Sequence, residues 1–359
     1  MNLFTEFFAL DLGTRSIKAF SVNPGSGGEG YVVADAIHHP LPLGLVTGGF
    51  TNPVIRSGAD LAAELRQVLG RLSSHKDGCI LGLPDRWVKL HLVDLVLKPH
   101  ELNSRDFLSW RLRRTLNLPE GLDVVIDHQI LGIRQEEEGL ACQILAAAVR
   151  RDLLVTLSSL LADLHVELMA IDTSTLGVYN LLEEQHPENT LDRSLIMCHI
   201  GHETTVTKFF NSGRLIYERV IEVAGEEFTR LVAEVEHLEP AQAEAAKESR
   251  KFFPQTKAEV LEQVLHRETL RKVFGNWLRE LNVTFRFYQD KFKVMRLPKI
   301  YLTGGSSLFP GLPEFLTDFF ETPVERFNPV AGIPSPGPID DRVNALGALF
   351  APSLGLLVR

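Results

Sequence analysis

Two stretches of this chain, about half its length apart, spell the same local pattern, and that repetition points to a duplicated fold. Phe8-Ala9-Leu10-Asp11-Leu12-Gly13-Thr14-Arg15-Ser16-Ile17-Lys18-Ala19-Phe20 reads as an apolar strand, a turn holding glycine and hydroxyls, and a returning strand. Ser194 to Gly201, the turn His202-Glu203-Thr204-Thr205, and Val206 to Phe210 read the same way. The turn composition is that of a phosphate cradle. Gly13 lets backbone N–H groups approach an anion with no Cβ between them, Thr14 and Ser16 add hydroxyl donors, and Lys18 brings a positive charge. Asp11 suits the hydration shell of Mg2+, an ion that keeps most of its waters and takes few carboxylates. Either turn alone also serves as an ordinary hairpin. Two copies predict a pair of phosphate-gripping turns facing each other across a cleft.

A third signal, Lys299-Ile300-Tyr301-Leu302-Thr303-Gly304-Gly305-Ser306-Ser307, reads as strand, double glycine and turn, with a helix after Pro310-Gly311-Leu312. Gly304 and Gly305 would let a flat ligand such as adenine approach the backbone, and the amides opening the helix suit a phosphate. It is not a nucleophile elbow, because Leu308 stands where the closing glycine would be. Pro24-Gly25-Ser26-Gly27-Gly28 reads as a plain loop between strands, since it does not open a helix. Residues 60–72 predict a helix with Leu61, Leu65, Val68, Leu69 and Leu72 on one side, and Ile80 to Leu83 a strand stopped by Pro84.

From about Asp85 the pattern changes to that of a compact inserted subdomain. Arg86 to Leu97 predicts a strand, Asn103 or Ser104 caps a helix to Leu116, and Val124 to Ile126 and Ala141 to Val149 predict two more strands. A leucine-striped helix follows, with Leu153, Leu154, Leu157, Leu160, Leu161 and Leu164, then a strand from Val166 to Ile171. After the second turn come a strand from Arg214 to Val223, a helix opened by Gly225, and a long helix from about Ala258 to Phe287. The long helix is either wholly core or partly offered to another subunit.

Composition narrows the function. A net charge of -9, from 37 basic and 46 acidic residues, argues against general nucleic-acid binding, which needs a basic face; Arg111, Arg113 and Arg114 form the densest basic run. Cys79, Cys142 and Cys198 lie far apart, with neither a disulfide framework nor a zinc spacing, so a reducing cytosol is the simpler expectation. Glu6 and Asp11 interrupt the first apolar stretch, which therefore reads as neither signal peptide nor anchor. The reading is a cytoplasmic chain with no direct membrane insertion, held at a membrane only by a partner.

The order and spacing of these turns resemble the actin-like ATPase superfamily, and specifically the PilM type IV pilus assembly family, close to FtsA. Asp11 to Lys18, with Gly13, Thr14, Arg15 and Ser16 between, resembles the first phosphate motif. His199-Ile200-Gly201-His202-Glu203-Thr204-Thr205 resembles the second, and Leu302-Thr303-Gly304-Gly305-Ser306 the adenosine motif. Ala243-Glu244-Ala245-Ala246-Lys247 is similar to the helix whose Glu and Lys reach ribose and base, although by itself it reads as an i,i+3 salt bridge. Leu118-Pro119-Glu120 and Val124 to Gly132 resemble the subdomain shared with FtsA, and Ile171-Asp172 the first connecting segment.

The resemblance implies an α/β, actin-like (ribonuclease H-like) fold of duplicated lobes around a nucleotide cleft, with an FtsA/PilM-type insertion. Residues 1–84, 166–190 and 326–359 would form the first lobe and 85–165 the insertion. Residues 191–225 and 297–325 would form the second lobe, and 226–296 its helical subdomain. It implies ATP with Mg2+, the metal held through water by Asp11, and a groove that takes the N-terminal tail of a PilN-like inner-membrane protein. PilO and the pilus motor ATPases would be reached indirectly. The second phosphate motif of the family opens with Asp, where this chain has His199, which puts hydrolysis in doubt. His199 and His202 as a metal pair lack a third ligand. Two other classes stay open: a small-molecule kinase of the superfamily, with Asp172 as general base, and a nucleotide-free scaffold like the cytoplasmic part of GspL.

Overall fold

The computed structural model describes residues 3–25, 30–73, 78–185, 194–249, 268–331, 333–334 and 343–358. The Ser26 to Gly28 part of the early glycine loop, and Leu261, Val264 and Leu265 of the long helix, lie outside them. Strand β1 (Phe7–Leu12) turns into β2 (Ser16–Pro24) and β3 (Tyr31–Pro40), and β4 (Val46–Gly49) and β5 (Asn52–Ile55) form a small hairpin. Helix α1 (Gly58–Leu69) starts where the Ser57 hydroxyl accepts the Asp60 N–H at 3.1 Å, and leads to β6 (Gly78–Leu83). The insertion is β7 (Lys89–Leu97), α2 (Pro99–Leu102), α3 (Arg105–Thr115), β8 (Val124–Glu136) and β9 (Gly139–Arg150). Ser104, not Asn103, caps α3, its hydroxyl accepting the Phe107 N–H.

Helix α4 (Arg151–Asp163), β10 (Leu168–Thr173) and α5 (Gly177–Gln185) complete the first half. The second half is β11 (Ser194–Ile200), β12 (Thr205–Asn211), β13 (Arg214–Ile221), α6 (Gly225–Glu236), α7 (Pro240–Ser249) and α8 (Glu268–Phe292). It closes with β14 (Ile300–Thr303), α9 (Leu312–Phe320), β15 (Val324–Arg326) and α10 (Gly347–Gly355).

The duplication is literal in the topology. One sheet runs β10-β6-β1-β2-β3 and the other β15-β14-β11-β12-β13. In each, the first strand pairs antiparallel with the hairpin strand and parallel with the later one. Side chains alternate across a strand, so each first strand splits its residues between two layers. Phe8, Leu10 and Leu12 face α1 and α4 on the outside of the first sheet. Ala9 faces inward, into the core that α5 and α10 share with both sheets. Ile196, Cys198 and Ile200 face outward against α8 and α9, while Leu195 and Met197 face inward. The result is a five-layer stack, helix, sheet, helix, sheet, helix, with one central helical layer serving both lobes.

Two sequence expectations change in the insertion. The strand expected at Val124 to Ile126 runs on to Glu136, because Asp127, Gln129, Arg134 and Gln135 lie on exposed positions of a long hairpin with β9, where polar residues cost nothing. Arg86 and Trp87, expected to begin the strand that became β7, lie in a 3-10 turn from Asp85 to Trp87 that buries the Trp87 indole and gives its N–H to the Thr47 carbonyl at 2.9 Å. Helix α3 covers the β7-β9-β8 sheet with Leu108 and Leu112. Among the described residues no helix is long and apolar enough to cross a membrane.

Candidate functional site

Register alone brings the site together. Asp11 is two residues beyond Ala9 on β1, and His199 two beyond Met197 on β11, so both side chains leave their strands on the inward side. There the central helices no longer fill the space, and a cleft of about 500 Å³ opens at the strand ends, in the size range of small-molecule sites. Both hairpin turns and the Gly304 turn line it.

In the first turn the Gly13 N–H donates to the Ser16 carbonyl at 3.0 Å. A Cβ on Gly13 would stand 3.0 Å from the Lys18 ammonium, which lies directly over the turn. Lys18 is the cross-strand neighbour of Asp11 and bonds its Oδ2 at 3.0 Å. The Ser174 hydroxyl, from the end of β10, donates to Asp11 Oδ1 at 2.6 Å. Arg15 lines the cleft while its guanidinium donates to the Leu41 carbonyl at 2.7 Å.

The second turn is braced from two sides. The Gly201 N–H donates to the Thr204 carbonyl at 2.9 Å, and the Gly201 carbonyl accepts the Gly225 N–H at 3.2 Å and the Ser306 hydroxyl at 2.9 Å. The first turn of α6 and the Gly304 turn are thereby tied to it. Gly304 has φ +88°, and a Cβ there would sit 2.5 Å from the Ile200 carbonyl oxygen, so only glycine fits. Above them Lys247, nearly fully buried, bonds both Glu244 oxygens at 2.9 and 2.8 Å and the Thr229 hydroxyl at 2.8 Å.

The structure therefore brings together Asp11, Gly13, Thr14, Arg15, Ser16, Lys18, Gly201, Thr204, Glu244, Lys247, Gly304, Gly305 and Ser306 at one cleft. Thr205 and Asp172 are not among its lining residues. Thr205 is fully buried; its hydroxyl donates to the Val223 carbonyl at 2.7 Å and accepts the Trp277 N–H, which leaves it a structural post. Asp172, the candidate general base, is an exposed residue of β10 that accepts the Thr173 N–H at 2.6 Å. Conversely, Asp85, Arg86 and Ser174 line the cleft without having been singled out for it, and His202 and Glu203 of the second motif line it too. Asp85 and Ser174 follow the carboxyl ends of the parallel strands β6 and β10, which is where α/β sheets place ligand groups; that position is the signal that could have found them.

The cleft is also where the lobes hold each other. Arg86 pairs with Glu203 and, at 3.0 Å, with Glu222; the Thr47 hydroxyl donates to Glu203 at 3.1 Å. Behind them Lys208, fully buried on β12, bridges Asp85 at 3.3 Å and Glu218 at 2.7 Å.

These residues do not form a magnesium site. Asp11, expected to hold the ion's waters, already has one oxygen on the Lys18 ammonium and the other on Ser174. Every other carboxylate lining the cleft is also paired with a cation, Asp85 with Lys208, Glu203 with Arg86 and Glu244 with Lys247. A hard dication asks for oxygen donors with uncompensated charge, and His199 offers a nitrogen. Among the described residues no group of three His, Cys, Asp or Glu side chains is arranged to hold a metal.

Burial pushes both cleft histidines down to about 4, and His199 shares a hydrogen bond of 3.1 Å between Nδ1 and the Thr303 hydroxyl. Both are neutral at pH 7. Between the ordinary value of 6.5 and about 4 the unfolded chain binds more protons than the folded one, so stability present at neutral pH is lost as pH falls through that window. Replacing both with Asn should flatten this loss, seen as a smaller drop in urea midpoint between about pH 7 and pH 5 than in the parent. Cys79 and Cys198, pushed up to about 12 by burial, stay protonated thiols with no nucleophilic role.

Two equivalent sheets around a shared helical layer, with a cleft between equivalent turns, define a protein of the actin-like ATPase fold. Solved structures agree. A PilM-PilN type IV pilus biogenesis complex superposes with a TM-score of 0.81 at 23% identity, over 98% of this chain and 97% of that one. The ethanolamine utilization protein EutJ from Carboxydothermus hydrogenoformans gives 0.55 at 13% identity, over 99% and 92%. The sequence matches the family described as type IV pilus assembly protein PilM over residues 9–358, and the chain belongs to that family. No curated protein matches the sequence.

Proposed function

We propose that the chain binds ATP in the interlobe cleft and serves as a cytoplasmic platform of the type IV pilus assembly machinery, docking the N-terminal tail of a PilN-like inner-membrane protein. One observation carries the nucleotide part: three glycine-and-hydroxyl turns, from residues 13, 201 and 304, converge on a single cleft by strand register. Gly13, Thr14, Ser16, Lys18, Gly201 and Thr204 then face the phosphates, and Glu244, Lys247, Gly304, Gly305 and Ser306 the nucleoside. Family membership and the likeness to a PilM-PilN complex support the partner. The tail binds as an extended peptide between the first lobe and the insertion, and through it the chain is held at the inner-membrane face and coupled to PilO and the motor ATPases.

Nucleotide acts as a switch more than as a fuel. The contacts of Arg86 with Glu203, Thr47 with Glu203 and Asp85 with Lys208 join the lobes across the cleft, so a ligand that changes the lobe angle changes them. With a neutral His199 on β11 before the second turn and every cleft carboxylate paired with a cation, turnover is slow. ATP at about a hundred times its Kd should stabilise the chain by about 2.7 kcal/mol, read as a raised Tm. An immobilised PilN-like tail should retain the protein. No thermal shift with any nucleotide ends the first part of the reading, and no retention ends the second.

A further inference from the structure

Resting on the nucleotide-binding reading above, we propose that this cleft takes its nucleotide without a divalent cation, the Lys18 ammonium standing where the metal's charge would be. The ground is the pairing of charge already in place. Four carboxylates line the cleft, and each has a cationic partner: Asp11 with Lys18 at 3.0 Å, Asp85 with Lys208 at 3.3 Å, Glu203 with Arg86, and Glu244 with Lys247 at 2.8 Å. A metal hydrate therefore meets no uncompensated negative charge from the protein. Phosphate does meet positive charge, because Arg15, whose guanidinium donates to the neutral Leu41 carbonyl, lines the cleft at the first turn beside Lys18.

The position of Lys18 makes the substitution specific. Its ammonium lies over the Gly13 backbone, close enough that a Cβ on Gly13 would be 3.0 Å away, which sets a positive charge against the first turn. Asp11 is 2% exposed and bonded on both oxygens, which fixes the ammonium in place and leaves its remaining N–H donors for a ligand. A lysine ammonium is a point charge with three donors and suits phosphate oxygens.

The test is equilibrium binding of ATP to the full chain, by calorimetry, in excess EDTA and in excess magnesium. The expected result is an affinity in EDTA within about threefold of that in magnesium, since the ion adds no protein contact. Lys18→Met should lose roughly tenfold to a hundredfold in EDTA, the worth of a charge-assisted bond. It should also regain much of that loss in magnesium, because Asp11 is then a bare carboxylate able to hold the ion's waters. The double variant Asp11→Asn, Lys18→Met should bind weakly under both conditions; it carries no unpaired charge and keeps the test usable if Lys18→Met fails to fold. Wild-type binding seen only with magnesium overturns the inference and leaves the nucleotide reading standing. Binding under neither condition overturns both. Undiminished binding of Lys18→Met in EDTA removes Lys18 from its assigned place.

Discussion

Lys208→Met should lower stability by about 3–5 kcal/mol, the cost of leaving a buried charge without its partner. Lys208 is fully buried and serves two carboxylates, Asp85 and Glu218, from opposite sides of the lobe junction. Burial works to pull its ammonium down, but Glu218 and Asp85 hold it above its ordinary value. Removing it strands both carboxylates. Burial already pushes Glu218 up, with Asp85 adding to the push and Lys208 opposing it. A carboxyl with a raised folded-state pKa favours the folded state more as pH falls, so the deficit of Lys208→Met should shrink on acidification. The triple variant Asp85→Asn, Lys208→Met, Glu218→Gln should recover most of the loss, since no buried charge then remains. Urea denaturation of the three proteins at two pH values measures all of this; a Lys208→Met protein as stable as the parent would show that water reaches the junction.

Gly304→Ala should cost on the order of 3 kcal/mol and abolish high-affinity nucleotide binding, while Gly305→Ala leaves stability nearly unchanged. The two glycines are adjacent and differ in what a methyl group would meet. At Gly304 the backbone is at φ +88°, and the new Cβ would lie 2.5 Å from the Ile200 carbonyl oxygen and 3.0 Å from the His199 ring. The Ile200 carbonyl cannot step aside without moving β11, and the turn carrying Ser306 would shift off its bond to the Gly201 carbonyl. At Gly305 the nearest atom is the Leu349 Cδ1 at 3.4 Å, the far end of a flexible side chain. Thermal denaturation and ATP titration of the pair separate the backbone requirement from a general intolerance of the turn. Equal behaviour of the two variants would refute the assignment.

Much of the architecture was legible before any coordinates. Strand periodicity and turn composition marked β1, β2, β11, β12 and β14, and the repeated hairpin announced two like sheets, because hydrogen bonding and side-chain alternation are local and leave a period of two in the residues. Asp11, Gly13, Gly201 and Gly304 were visible for the same reason: each sits in a short segment whose chemistry is contained within a few positions. Thr205 looked like its neighbour Thr204, yet only one faces the cleft; one step along a strand reverses a side chain, and Trp277, far away in sequence, takes the hydroxyl that was left. Asp172 resembled a base until β10 carried it outside the cleft lining.

What the sequence alone determined was the doubled strand-turn-strand unit and the residue types at its bends. What only the tertiary structure decided was the matching of charges: that Lys18 rests on Asp11, that Arg86 crosses to Glu203, and that Lys208 is shared by Asp85 and Glu218. Lys18 with Asp11 and Lys208 with Glu218 are each set within one hairpin. Arg86 with Glu203 and Lys208 with Asp85 join residues more than a hundred positions apart, and Coulomb attraction depends on distance and burial, which no local pattern encodes.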